Sequence, residues 1–200
     1  MKRKIFILLA VAALSAGGCS FVKTAINLSR LQFRLGKVSN FKLMGIGISN
    51  KSKLSDLGAM DIVRLGSAAA QGKLPVSFIL NVQAKNPNSK GGYGATDIYV
   101  KSFPWTLYVN NKKTASGDIN SPFKVPGTGG YAVIPLRVEF NLIRFFKDSS
   151  MKDLANLVFA IGGKKGSSSN LKLVAKPVLG TPYGAISYPE PITIVNKTFK

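Results

Sequence analysis

Few residues of this chain could carry out covalent or acid–base chemistry. Its 200 residues contain no histidine and a single cysteine, Cys19. Histidine is the commonest general base and the commonest metal ligand, so either kind of site would have to rely on other groups. The eight carboxylates stand apart in the sequence, and no serine lies in a Gly-x-Ser-x-Gly motif. The sequence therefore predicts no catalytic residues and no metal site, although a polar pocket formed by Asp97, Asp118 or Glu139 would revive an enzymatic function.

A glycine-containing segment at residues 66–74 superficially matches a phosphate-binding loop. It has one residue too many before its second glycine, and Leu74 stands where such loops carry a metal-binding hydroxyl. The segment is therefore predicted to bind no nucleotide, and the sequence indicates no cofactor.

The beginning of the chain has the pattern of a secretion signal. Three basic residues precede an apolar run at residues 5–14, and small residues then lead to Cys19. The run is too short for a membrane-spanning helix, which needs about 20 apolar residues. The segment resembles a bacterial lipoprotein signal with Cys19 as the lipid-bearing residue, although Ala16 stands where leucine is usual. The alternative is an ordinary signal peptide cleaved near residues 16–18, which would leave Cys19 as a thiol.

The chain is strongly basic. Its 28 lysines and arginines against eight acidic residues give a formal charge of +20, and loss of the three basic residues in the signal lowers this to +17. Such a surface attracts anionic lipids and polyanionic glycans, whereas nucleic acid is not expected as a partner outside the cytoplasm. Lys85, Lys101, Lys112, Lys113 and Lys124 fall at predicted strand ends or turns, where they could gather at one edge. The alternative is a solvated basic surface with no ligand.

The spacing of apolar residues predicts strands through most of the chain. A period of two predicts them at residues 28–35, 41–48, 76–84, 98–100, 103–109, 132–140, 171–175 and 192–194. Three- and four-residue spacing predicts helices at residues 57–71 and 150–162. The second helix should begin at a capping box of Ser150 and Asp153 and pack its apolar stripe against the sheet, and Trp105 should lie in the core. Short strands separated by turns favour an antiparallel β-sandwich.

Several short motifs follow one another in a recognisable order. A strand ends in Asn86-Pro87-Asn88, and an Ala-Ser-Gly motif at residues 115–117 and a Val-Pro-Gly-Thr-Gly turn at residues 125–129 come later. This order resembles the late embryogenesis abundant type 2 family, also called the water stress and hypersensitive response domain, over about residues 74–195. The signal is similar to that of lipid-anchored members from Bacteroidetes-type bacteria. The resemblance implies an immunoglobulin- or fibronectin-like sandwich with protective, lipid-associated or unknown roles, and it implies no catalytic residues.

The Asn-Pro-Asn motif has a physical interpretation that does not depend on function. Pro87 lacks an N–H donor and has a fixed backbone angle, while Asn86 and Asn88 form local hydrogen bonds, and this combination ends a strand. We therefore interpret the three residues as a structural turn.

The expected organisation is a signal peptide at residues 1–18, a lipid-anchored tether at residues 19–27 and a single sandwich domain at residues 28–200. The predicted function is that of a non-enzymatic envelope protein, attached to the membrane through acylated Cys19, that acts as a binding or structural, stress-protective module. The alternative is a periplasmic carrier in which a groove between the sheet and helix 150–162 shelters an acyl chain. Ser20 follows the cysteine where an aspartate would retain a lipoprotein in the inner membrane, which favours the outer membrane. Residues 20–23 lack an acidic surface-export tag, which favours its periplasmic face.

Overall fold

The computed structural model describes residues 30–48, 54–87, 97–161, 169–181 and 184–199. Most of the regular elements are strands in antiparallel sheets with a few short helices, which confirms the predicted mainly β class. The strands are β1 (Gln32–Leu43), β2 (Ile46–Gly47), β3 (Pro75–Lys85), β4 (Ile98–Ser102), β5 (Trp105–Val109), β6 (Lys112–Gly117), β7 (Phe123–Val125), β8 (Tyr131–Asn141), β9 (Ser169–Ala175), β10 (Val178–Thr181), β11 (Gly184–Ser187) and β12 (Ile192–Phe199). The helices are α1 (Ala59–Ala70), α2 (Leu142–Phe146) and α3 (Met151–Ile161), with a 3-10 turn at Leu54–Asp56.

The first sheet has the strand order β2-β1-β3-β8. Five apolar side chains on one face of β3 are at most 2% exposed, and they belong to the core. Pairing between β3 and β8 runs without interruption from Pro75 opposite Asn141 to Lys85 opposite Tyr131. A slip of one residue would turn every apolar side chain to the wrong face, so burial of one face fixes this register. The other face, called here the outer face of the first sheet, is exposed or half-buried.

The second sheet has the order β11-β10-β4-β7, and the third has the order β12-β9-β5-β6. Short connections join each strand of the second sheet to the strand at the same position in the third. At the connection between β4 and β5, the ring of Phe103 contacts Phe33 of β1, with 5.4 Å between ring centroids. One cluster of buried apolar residues includes side chains of all three sheets. Trp105 is 5% exposed within it, as predicted.

Helix α1 agrees closely with the predicted helix at residues 57–71. It begins after Gly58, and Gln71 and Gly72 end it with Gly72 in the left-handed region at φ 70°. Its contact with the core is narrow, because Leu65 and Ala68 are buried while Met60 is 67% exposed.

Helix α3 begins at the predicted capping box. The hydroxyl of Ser150 donates to Asp153 Oδ2 over 2.6 Å, and the Asp153 N–H donates back to Ser150 Oγ over 3.2 Å. The side chains of Leu154, Leu157, Val158 and Ile161 are buried in the core. The prediction that this apolar stripe packs against the protein is therefore confirmed.

Some elements differ from their prediction or were not predicted. Residues 41–48 were expected as one extended stretch, but β1 continues to Leu43 and turns at Met44 and Gly45, both with positive φ, into β2. Strands β6, β7, β10 and β11 and helix α2 had no prediction. Helix α2 begins because Asn141 Oδ1 accepts hydrogen bonds from the Ile143 and Leu74 N–H groups, and that second contact comes from a distant part of the chain.

Candidate functional site

A cleft of about 630 Å³ lies between β8 and residues 115–123, which include the end of β6, the following loop and the start of β7. Its volume is within the range of about 300–1,000 Å³ that is typical of ligand sites. The lining combines apolar side chains with polar and charged ones, and these include Ile79, Ile119, Phe123, Val133, Ser116, Asn120, Arg137 and Glu139. We call it the edge cleft.

The edge cleft is bordered by the outermost strands of all three sheets. Strand β8 ends the first sheet, β7 the second and β6 the third. An outermost strand presents backbone N–H and C=O groups that have no partner within the sheet. Pro135 lies within β8, opposite Asn81. Proline is tolerated in a strand where its missing N–H would face away from the sheet, so it removes one donor from the free edge and leaves the neighbouring carbonyls available.

Trp105 supplies a buried donor beside the edge cleft. It is the only tryptophan of the chain, and its Nε1 is buried with no hydrogen-bond partner among the residues that the structure describes. The ring edge that carries Nε1 faces Gly117, where an added Cβ would lie 2.9 Å from Cζ2 and 3.3 Å from Nε1. Both residues line the cleft. A buried donor without a partner costs about 1–3 kcal/mol, so an acceptor that reached this N–H would recover free energy.

Asp118 holds the cleft wall in place. Its carboxylate accepts hydrogen bonds from the Ser102 hydroxyl and from the N–H groups of Phe103 and Ile119. These bonds connect the loop after β6 to the junction of β4 and β5. The carboxylate of Asp118 therefore fixes the backbone of this loop against the β4–β5 junction.

The charges of the edge cleft are nearly balanced, unlike those of the whole chain. Arg137 and Glu139 occupy alternate positions on β8, both exposed on the outer face, and Asp118 lies across from them. The cleft therefore lacks the excess of cations that an anion-binding site needs.

The predicted site residues lie only partly within the described structure. Cys19 and Asn88 are outside the described residues. Asn86 is 1% exposed directly after β3, and Pro87 follows it half-buried.

The three carboxylates named as a possible catalytic cluster do not gather in one pocket. Asp118 and Glu139 line the edge cleft, whereas Asp97 accepts a hydrogen bond from Gly127 N and pairs with Lys124 at 3.0 Å. The bond from Gly127 and then that from Lys124 hold the pKa of Asp97 below its usual value. Within the described residues, no group of three or more acidic, histidine or cysteine side chains could hold a metal ion.

The five lysines expected near strand ends do not share one edge. Lys85 lies opposite Tyr131, the first residue of β8, whereas Lys112 Nζ donates to the carbonyl of Phe145, which lies beyond the other end of β8. Eleven residues of strand separate these points by roughly 30 Å. The expectation of a shared edge is therefore wrong, because β3 and β6 bring their lysines to opposite ends of the molecule.

Reasoning from the sequence did not find the edge cleft. Its residues come from distant segments, and the Ala-Ser-Gly motif at residues 115–117 did not by itself indicate a cleft. Pro135 within an otherwise regular strand was the available signal, since proline in a strand indicates an edge.

No helix within the described part of the chain combines the length and apolar character needed to cross a membrane. Neither a family model nor a curated protein matches the chain. The fold is similar to a crystal structure of a protein from Archaeoglobus fulgidus, with 14% identity, a TM-score of 0.40 and coverage of 82% of this chain and 95% of that one. It is also similar to the solution structure of a protein described as late embryogenesis abundant, with 15% identity, a TM-score of 0.42 and coverage of 95% and 82% respectively.

Proposed function

We propose that this chain is a non-enzymatic binding module of the bacterial cell envelope that takes an extended, peptide-like ligand into the edge cleft. In this proposal the three sheets form an immunoglobulin- or fibronectin-like sandwich of the late embryogenesis abundant type 2 kind. Acyl chains on Cys19 attach it to the periplasmic face of the outer membrane, because more than one acyl chain gives stable attachment.

The observation that carries this proposal is that the outermost strands of three sheets meet around a cleft beside Trp105, whose buried Nε1 has no hydrogen-bond partner among the described residues. An extended segment can satisfy backbone groups of an edge strand by adding to it, while neighbouring pockets take its side chains. Residues 133–139 of β8 border the cleft over about 20 Å, which corresponds to roughly six extended residues.

The composition of the cleft also favours a peptide-like ligand. One arginine and two carboxylates leave it without the charge excess that selects a polyanion, and the apolar side chains of Ile79, Phe123 and Val133 can cover small apolar groups. A non-enzymatic role is supported by Asp118, since its carboxylate already accepts three hydrogen bonds from the chain itself.

Trp105 provides a built-in reporter for the test. The mature chain with Cys19→Ala contains every described residue and can be titrated with pools of random hexapeptides while the emission of Trp105 is recorded. Occupation of the cleft changes the surroundings of the indole, so we expect a saturable shift in emission for a subset of pools.

Two phenylalanine variants make the titration specific for the cleft while leaving Trp105 the only tryptophan. Ser116→Phe fills the exposed cleft wall and should weaken peptide binding by about tenfold or more, that is about 1.4 kcal/mol. Ser187→Phe makes the same change on β11, at the far edge of the second sheet, and should leave affinity within about twofold. If no pool shifts the emission, or if Ser116→Phe binds as well as Ser187→Phe, the cleft does not bind peptides.

The carrier alternative concerns another part of the molecule. The apolar stripe of α3 is buried in the core, so a groove for an acyl chain beside this helix would require it to move. Lipid bound stoichiometrically in addition to the anchor would favour the carrier over the peptide-binding module.

A further inference from the structure

Two basic side chains and an exposed aromatic ring lie together on the outer face of the first sheet, at the end where β1 begins. The guanidinium of Arg34 lies 4.5 Å from the ring centroid of Tyr131, and Lys85 Nζ lies 5.2 Å from the same centroid. Tyr131 is 46% exposed, and Val133 beside it is 54% exposed. We call these four residues the Tyr131 face.

Register explains why these side chains meet. Lys85 of β3 lies directly opposite Tyr131 of β8. Arg34 of β1 lies opposite Gln83 of β3, and its Nε donates a hydrogen bond to Gln83 Oε1 over 2.7 Å. That hydrogen bond and the aromatic ring orient the arginine across the sheet. Cation–π contact with Tyr131 thus holds two like charges close together.

Within the described part of the chain, neither Arg34 nor Lys85 forms an ion pair with a carboxylate. Two neighbouring cations without a carboxylate repel one another, and a bound anion would relieve that repulsion. The exposed ring and the apolar Val133 beside it are the groups that favour the boundary between lipid headgroups and acyl chains.

The short distance in sequence between Cys19 and β1 indicates that the anion near this face is a membrane phospholipid. The described structure begins at Arg30, immediately before β1, and Cys19 lies eleven residues earlier. Eleven residues span at most about 40 Å, so an acylated Cys19 would keep this end of the domain within reach of the bilayer.

We propose that the Tyr131 face docks on the surface of an anionic phospholipid bilayer, with Arg34 and Lys85 contacting lipid phosphates and Tyr131 lying at headgroup level. The orientation relies on the proposed acyl anchor, whereas Arg34, Lys85 and Tyr131 do not line the edge cleft. Docking in this way would hold the cleft, which shares Val133, beside the membrane.

Vesicle sedimentation tests this proposal without the anchor. The mature chain with Cys19→Ala is mixed at low salt with vesicles of phosphatidylcholine alone or with added phosphatidylglycerol. We expect binding only to the anionic vesicles, with affinity falling steeply as salt is raised, since screening weakens contacts between exposed charges.

Matched charge variants locate the surface. Arg34→Gln with Lys85→Gln should reduce vesicle affinity by on the order of tenfold or more, because each basic residue near an anionic bilayer contributes separately. Lys113→Gln with Lys147→Gln removes the same charge at the opposite end, near α2, and should have a much smaller effect. Tyr131→Ala should weaken binding and Tyr131→Phe should retain it, while thermal unfolding checks that each variant is folded.

Three results would overturn the proposal. Equal losses in the two double variants would mean that net charge alone attracts the protein. Equal binding to neutral vesicles would remove the role of the cations. Complete release by millimolar inorganic phosphate at constant ionic strength would assign the Tyr131 face to soluble phosphate instead of a bilayer. Hexapeptide binding measured through Trp105 should be unchanged in the Arg34/Lys85 variant, so failure of the docking surface can be distinguished from failure of the cleft.

Discussion

Trp105 and Gly117 contact each other so closely that only a hydrogen fits between the indole and the backbone of residue 117. The φ angle of Gly117 is not in the left-handed region, so a larger residue there would be opposed by lack of space and not by backbone strain. The close approach places the unpartnered indole N–H directly behind the wall of the edge cleft.

Gly117→Ala should therefore destabilise the fold. Its methyl group would lie 2.9 Å from Trp105 Cζ2, and the buried indole has to shift to make room. Overpacking of this kind costs about 1–3 kcal/mol, which urea unfolding would measure.

Gly66→Ala is the matched control, because an added methyl meets nothing within 4 Å at this position in α1. It should stabilise the protein by up to about 1 kcal/mol, since alanine is the better helix former. Equal destabilisation by the two variants would show that Gly117 does not owe its role to Trp105.

At the scale of the elements, the capping box of α3 is the best defined local contribution. Ser150→Ala removes a hydroxyl that both donates to Asp153 and accepts from its N–H, and it should cost about 1 kcal/mol in the free energy of unfolding. Ser187→Ala, at an exposed serine of β11, should change stability by less than about 0.5 kcal/mol. A loss for Ser150→Ala no larger than that control would mean that core packing alone fixes the start of α3.

The sequence predicted β3, β8 and α3 with nearly their full extent. Every second residue is a buried apolar one from Val76 to Ala84 in β3 and from Ile134 to Phe140 in β8, and α3 has both a capping box and a regular apolar stripe. In each case the local pattern and the tertiary packing require the same structure.

The elements that were not predicted depend on distant partners. Strand β6 reads Lys-Lys-Thr-Ala-Ser-Gly and owes its extended form to pairing with β5, while α2 starts where Asn141 meets Leu74, 67 residues away. The edge cleft was not predicted for the same reason, since it exists only once three sheet edges have been brought together. Elements that depend on such tertiary contacts cannot be recognised from the spacing of apolar residues along the chain.

At the scale of the whole molecule, basic side chains greatly outnumber acidic ones, at 28 to eight. All eight acidic side chains belong to described residues, and the carboxylates of Asp97, Asp118 and Asp153 accept hydrogen bonds from backbone N–H groups. Unpaired basic side chains repel one another, so the charge contributes more to attraction of anionic partners than to stability of the fold. The edge cleft has balanced charges, whereas the Tyr131 face has excess cations. We therefore expect the two surfaces to bind different partners.

The central claim is that an acyl-anchored chain presents a cleft for a ligand that is not a lipid. The most direct test is the intact mass of the full-length protein, expressed in a bacterium and purified from its membranes in mild detergent under conditions that preserve bound molecules. We expect a chain that begins at Cys19 and is heavier than its sequence by the mass of acyl groups, with no further lipid bound in stoichiometric amount. An unmodified Cys19, or a second lipid retained by every molecule, would contradict it.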